Sequence, residues 1–286
     1  MRKYLLIIMI ISSCASLRAQ IGLFVQQDVM PAHLNPALQG MAAGVSAQAQ
    51  YGMQWVGLEG APTLMAIAGA YRYEAHSGGL LVMRDVFGSS DLTGVDLQYA
   101  YHHTMGEGTL VAGLGAHWQQ QNISVSKLHS NTPGDPVLQE NISRSGMDIS
   151  AGLAFTHPKG YFGISTQNMI PEATPTDMFI DPAFTILATG LYIYEVNDLW
   201  DIMPGFTYRM ADGSPVIVYI QAHARYADKL QADLGYRNAG AYTLGVRWQL
   251  AGNIQIGYGY THDTALQLAQ APGGHEIGLR YGLGLN

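Results

Sequence analysis

Ten histidines and a single cysteine are the residues here best suited to metal or nucleophilic chemistry. Zinc-type sites need imidazole or thiolate ligands at short repeated spacings, such as two histidines one helical turn apart. His102 and His103 are adjacent, while His117, His129, His157, His223, His262 and His275 are scattered at strand ends or loops. None has ligand spacing, so no metal and no other cofactor is expected. A serine hydrolase needs a base and an orienting group beside its nucleophile. No G-x-S-x-G elbow occurs, and Ser165 and His223 fall on segments that are not neighbours. Spacing gives catalysis no support, and the chain reads as a non-enzyme.

The acidic and basic residues are more regular. Asp96, Asp148, Asp233 and Glu276 share one phase of their segments with Arg209, Arg237, Arg247 and Arg280. Charges of both signs on one inner wall have two readings. Either they pair across the interior and hold an inner wall or plug in place, or they line a pore that selects solutes by charge. The mixed signs and an unusual N-terminal segment favour the first.

Strands must position these residues. Between Ala241 and Leu285 odd and even positions separate almost completely. Tyr242, Leu244, Val246 and Trp248 alternate with Thr243, Gly245, Arg247 and Gln249. Ile254, Ile256, Tyr258 and Tyr260 repeat the pattern, as do Ile277, Leu279, Tyr281 and Leu283. Successive strand side chains point to opposite faces, so each segment has one apolar and one polar wall. Segments of about 9–11 residues match strands that cross a membrane in a barrel. The pattern recurs at 44–52, 62–73, 78–86, 92–103, 108–119, 146–157, 160–168, 183–194, 199–209, 215–224, 228–237, 240–250, 252–262 and 274–285. In 78–86 and 183–194 apolar residues occupy both phases.

This predicts an all-β fold, a transmembrane antiparallel barrel of the bacterial outer membrane with about fourteen strands. The connections at 120–145, 169–182 and 263–273 are long and odd-numbered, and the tightest are even-numbered. That parity is expected when short periplasmic turns occupy one barrel end and longer extracellular loops the other, with both termini periplasmic. Tyr51, Trp55, Tyr99, Tyr101, Trp118, Tyr161, Tyr208 and Trp248 fall near strand ends, where interfacial girdles belong. Composition agrees. Charged residues make up 12%, half of the roughly 25% usual in soluble domains, because outward positions of a barrel meet lipid. A net charge of -7 excludes nucleic acid as a partner, which needs clustered Lys and Arg.

Residues 1–19 read as a signal peptide. Arg2 and Lys3 precede an apolar run from Tyr4 to Ile11, too short for a membrane helix, and small residues follow up to Ala19. Ile11-Ser12-Ser13-Cys14 also looks like a lipobox, but cleavage after Ala19, which removes Cys14, is favoured. Residues 20–43 lose the alternation, and Pro31 and Pro36 oppose a continuous helix or paired strand. They form an N-terminal arm or plug segment, or else a flexible leader, before a barrel over 44–286.

Some segments are more specific than the pattern. Asn35-Pro36-Ala37-Leu38-Gln39-Gly40 resembles the NPAxAG stretch of the PorP/SprF family, with Leu38-Gln39 for its usual Tyr-Ala. Gln54-Trp55-Val56-Gly57-Leu58-Glu59-Gly60-Ala61-Pro62-Thr63 resembles its QWVGFDGAPxT signature, with Leu58-Glu59 for Phe-Asp. Ser126-Lys127-Leu128 with Gly134-Asp135-Pro136-Val137 is similar to its long loop, and Ile256 to Tyr260 with His275-Glu276-Ile277 to its terminal strands. The resemblance implies an outer-membrane protein of Bacteroidetes-type bacteria, linked to type IX secretion and often to gliding motility. It implies a barrel without known enzymatic activity. Its partners would be the secretion machinery, adhesin-like surface cargo and outer-membrane lipid. Asn35, Pro36, Gln54, Trp55, Gly57, Gly60 and Pro62 become candidates for partner contact or lumen packing. The runner-up is a diffusion channel or small-molecule transporter, which the same fold supports.

Overall fold

Alternating residues of each segment do separate into an outer apolar and an inner polar wall. Leu244, Trp248, Ile277 and Leu283 face outward and are exposed, whereas Thr243, Arg247 and Glu276 face inward and are buried. The computed structural model describes residues 24–41, 43–124, 141–170, 183–238, 240–250, 252–264 and 273–283. The signal-like residues 1–19, Cys14, and the Ser126–Leu128 and Gly134–Val137 stretches lie outside the described residues.

The strands are β1 (Gly44–Met53), β2 (Thr63–Tyr73), β3 (His76–Phe87), β4 (Ser90–Met105), β5 (Gly108–Ile123), β6 (Ile142–His157), β7 (Gly160–Gln167) and β8 (Thr185–Tyr192). They continue with β9 (Tyr194–Asn197), β10 (Trp200–Ala211), β11 (Ile217–Tyr226), β12 (Leu230–Arg237), β13 (Ala241–Gln249), β14 (Ile254–Asp263) and β15 (Gly274–Leu283). Fourteen of them close into an antiparallel barrel, and the short β9 is extra. Closure runs from Val45 opposite Leu283 to Met53 opposite His275. The expected 183–194 segment is interrupted at Ile193: β8 pairs with β10 from Gly205 upward, and β9 takes over from Ile202 downward.

Counting the fourteen barrel strands without β9, even-numbered connections are turns, such as 106–107 and 158–159, and the longest, 124–141, 168–184 and 264–273, are odd-numbered. Gly44 and Leu283 therefore share the turn end of the barrel. Strands β4, β5 and β6 are 16 residues each, longer than the roughly 9–11 that cross a bilayer. In β5 and β6 the excess lies at the loop end, beyond the last pair of β6 with β7. The expected limits at 119 and 146 fall short because the ladder continues through Gln120 and Asn122 to Ile123, opposite Ile142. Above the hydrocarbon both faces turn polar, so the hydrophobic alternation stops while the hydrogen bonding does not.

Two segments with apolar residues in both phases now have a cause. Inward Leu81 of β3 packs with Phe24 and Met30, and inward Leu187 of β8 packs with Leu34 and Ile217. Their inner faces are apolar because they meet an apolar arm. Tyr161 needs correction as a girdle residue. It shares the inward phase of β7 with Gly163 and Ser165 and packs against the lumen cluster that contains Ala37 and Leu38. Tyr99, Tyr101 and Trp248 do face outward.

Candidate functional site

The site is the lumen and the arm that fills it. Pro31 and Pro36 each open a short 3-10 turn, Pro31–His33 and Pro36–Leu38, after a first turn at Gln27–Val29. Proline suits a first helical position, where its missing N–H is not needed. Asn35 caps the third turn by accepting the Ala37 N–H at 2.8 Å. Such short turns leave most of the arm's peptide groups unpaired, and buried peptide groups need partners. The barrel wall supplies them.

The arm starts at the loop end. Glu276 accepts the N–H groups of Val25 (2.7 Å) and Gln26 (3.1 Å). Tyr219 and Gln221 donate to the Val25 carbonyl at 3.1 and 3.0 Å, and Gln50 to that of Gln26 at 2.9 Å. Further along, Gln98, Gln167 and Ser165 donate to the carbonyls of Ala32 (3.1 Å), His33 (2.9 Å) and Leu34 (2.6 Å). Asn35 donates across the lumen wall to the carbonyls of Leu153 (3.2 Å) and Ile164 (3.1 Å). The arm leaves at the turn end, where Ser77 donates to Gln39 O at 3.0 Å and Arg72 to Met41 O at 3.2 Å. Phe24, Val29, Met30, Leu34, Ala37 and Leu38 are all buried.

Glycines of the wall permit this contact. A Cβ at Gly152 would collide with the Asn35 amide, and one at Gly113 with the Pro36–Ala37 peptide. A side chain at either place would lift the arm off the wall.

The charges form a network around the arm. Asp28 of the arm pairs with Arg247, which also lies 3.6 Å from Asp233. Asp233 accepts from His223 and Gln231 at 2.7 and 2.6 Å. Asp96 meets His117 at 2.9 Å, and Arg237 meets Asp263 at 3.7 Å. Asp148 accepts the N–H groups of Ile149 and Ile170. Arg209 and Arg280 face inward but form no ion pair among the described residues.

The signature loop folds over the rim. Gln54 N–H donates to Pro62 O at 2.9 Å and closes it. Trp55 has φ 49°, stacks edge-on against Phe87 at 6.1 Å and donates from Nε1 to Asp263 at 3.3 Å. Asp263 thus links the rim to Arg237 inside. Gly57 and Gly60 have φ of 97° and 73°, conformations that favour glycine. Gly60 lies against Gly88, whose N–H donates to its carbonyl at 3.0 Å. Leu58 and Glu59 remain exposed.

The structure therefore brings Asn35 and Pro36 into the lumen with most of the charges, and sets Gln54, Trp55, Gly57, Gly60 and Pro62 apart on the rim. Sequence reasoning missed the neutral anchors Gln50, Gln98, Ser165, Gln167, Tyr219 and Gln221, and arm Asp28. Most of the anchors occupy the polar phase of their strands, which was the available signal, but nothing local shows that each faces a bare carbonyl. No group of His, Cys, Asp or Glu among the described residues is arranged to hold a metal.

Comparison with known proteins places this geometry. No curated protein matches the chain. Among solved structures it is similar to the Ralstonia pickettii toluene transporter TbuX, at 13% identity and TM-score 0.55, covering 87% of this chain and 92% of that one. The P. putida toluene transporter TodX gives 8% and 0.54, covering 88% and 93%. The monoaromatic hydrocarbon channel CymD gives 13% and 0.51, covering 92% and 93%. At such identities the likeness is one of fold: this is an outer-membrane β-barrel. The family and these neighbours are a secretion component and transport barrels rather than enzymes. A family model described as type IX secretion system membrane protein PorP/SprF matches residues 19–281. With its signature residues seated on the rim and in the plug, the chain belongs to the PorP/SprF family.

Proposed function

We propose that this barrel is a non-enzymatic accessory component of the type IX secretion machinery. It supports export or surface attachment of cargo such as adhesins, with gliding motility among the processes served. In this reading residues 1–19 are cleaved after Ala19, the turn end faces the periplasm, and the 54–62 loop faces the cell surface. The observation that carries the reading is the filled lumen: an arm bonded to the wall from Glu276 at one end to Arg72 at the other. A wall whose polar groups are spent on its own N-terminal segment is built for a scaffold. The same wall suits a solute path only once the arm has left.

Deleting the gene should abolish surface display of a specific secreted protein while leaving small-solute uptake unchanged. Normal display in the deletion strain would sink the proposal. The channel reading is separated in planar bilayers. The intact protein should be silent, and a chain lacking residues 24–41 should conduct. Steady solute-dependent conductance by the intact protein would favour a channel or transporter.

A further inference from the structure

On the outer wall, near the turn end, the strands leave a groove of about 480 Å³ between β6 and β10, within the roughly 300–1,000 Å³ that holds small organic ligands. Its origin lies in three local features. Pro204 has no N–H to donate, and between the pairs Gly205–Leu191 and Ile202–Tyr194 the ladder to β8 and β9 lapses at Met203 and Pro204. Gly160 sits at φ 129°, where an added Cβ would strike the Leu191 carbonyl. Gly190 lies between Phe162 and Phe206, whose rings face each other at 6.3 Å across it. Phe155, Phe162 and Phe206, all exposed, form the apolar ledge of the groove.

Chemistry changes across the groove. Its upper part is aromatic and hydrocarbon-facing, and its lower lip is the 158–159 turn with Lys159. The Lys159 carbonyl accepts from Ile193 N–H at 2.8 Å and its N–H donates to His157 at 3.1 Å, which fixes the turn. Glu107 lies 3.5 Å from His157. Lys159 itself forms no ion pair among the described residues. Exposed Tyr192 pairs with Gly160 beside the turn, and exposed Tyr194 and Trp200 follow on β9 and at the start of β10, as interfacial aromatics do.

We infer that this groove is a specific lipid site, which takes one acyl chain of a bilayer phospholipid beneath the phenylalanine ledge and its anionic headgroup at Lys159. The occupant follows from position and charge. The groove opens where the wall meets hydrocarbon, and its unpaired cation lies at headgroup level, as in basic sites that bind anionic lipid headgroups. This goes beyond the secretion role and does not depend on it.

The test uses the full barrel in detergent with phosphatidylglycerol or phosphatidylcholine added, and bound lipid counted by native mass spectrometry. Wild type should retain one phosphatidylglycerol in preference to phosphatidylcholine. Lys159→Gln should lower phosphatidylglycerol retention about fivefold and leave phosphatidylcholine unchanged. Phe162→Ala with Phe206→Ala should lower both, with heat-dependent gel mobility confirming a folded barrel. Equal retention of the two lipids by wild type, or no change in Lys159→Gln, overturns the inference. So does a photo-crosslinker at Tyr192 that captures only polypeptide in cells.

Discussion

Glu276 shows how single residues hold the arm. Its carboxylate takes two arm amides that have no other acceptor among the described residues. In Glu276→Ala those buried N–H groups lose their partner, at about 1–3 kcal/mol each. Glu276→Gln keeps one acceptor oxygen and should fall between wild type and alanine. Hydrogen exchange at Val25 and Gln26 measures this directly, and unchanged protection in Glu276→Ala would refute the anchoring role. Arg247 offers a sharper contrast, since its side chain is 3% exposed between Asp28 and Asp233. Arg247→Met leaves buried carboxylates uncompensated, at about 3–5 kcal/mol. Adding Asp28→Asn should return part of that loss in the temperature at which the folded gel band disappears. Of these partners the sequence disclosed only one side. The inward phase of Glu276 and Arg247 was legible, but their ligands lie 251 and 219 residues away. Asn35 was flagged by family resemblance alone, and its two acceptors belong to strands far along the chain.

At the scale of elements, the arm behaves as a removable insert whose seat is cut into the wall. Gly113→Val should push the Pro36–Ala37 turn away from β5 and open a conductance that wild type lacks. A silent Gly113→Val barrel would mean the turn is not held there. The arm also decides which strands could be read. β13, β14 and β15 alternate cleanly because lipid lies outside them and mostly polar contacts lie inside. β3 and β8 looked ambiguous because Leu81 and Leu187 face apolar arm residues instead. The loop-end parts of β5 and β6 were missed because they leave the hydrocarbon that creates the signal.

For the whole molecule, one threading feature governs how it must be made. The arm is near the start of the chain, and its first anchor, Glu276, is on the closing strand β15. Relative to chain length few contacts are more distant, and such contacts form late. The barrel must therefore shut around a segment that was exported first. Until β15 arrives, the amides of Val25 and Gln26 lack their Glu276 acceptor, and the arm's N-terminal end is held only through its carbonyls and Asp28, by Tyr219, Gln221, Gln50 and Arg247. Complete anchoring of the arm thus reports that synthesis reached β15. A product truncated before Gly274 should carry a protease-sensitive arm, whereas the complete barrel protects it, so limited proteolysis would sort finished molecules from unfinished ones.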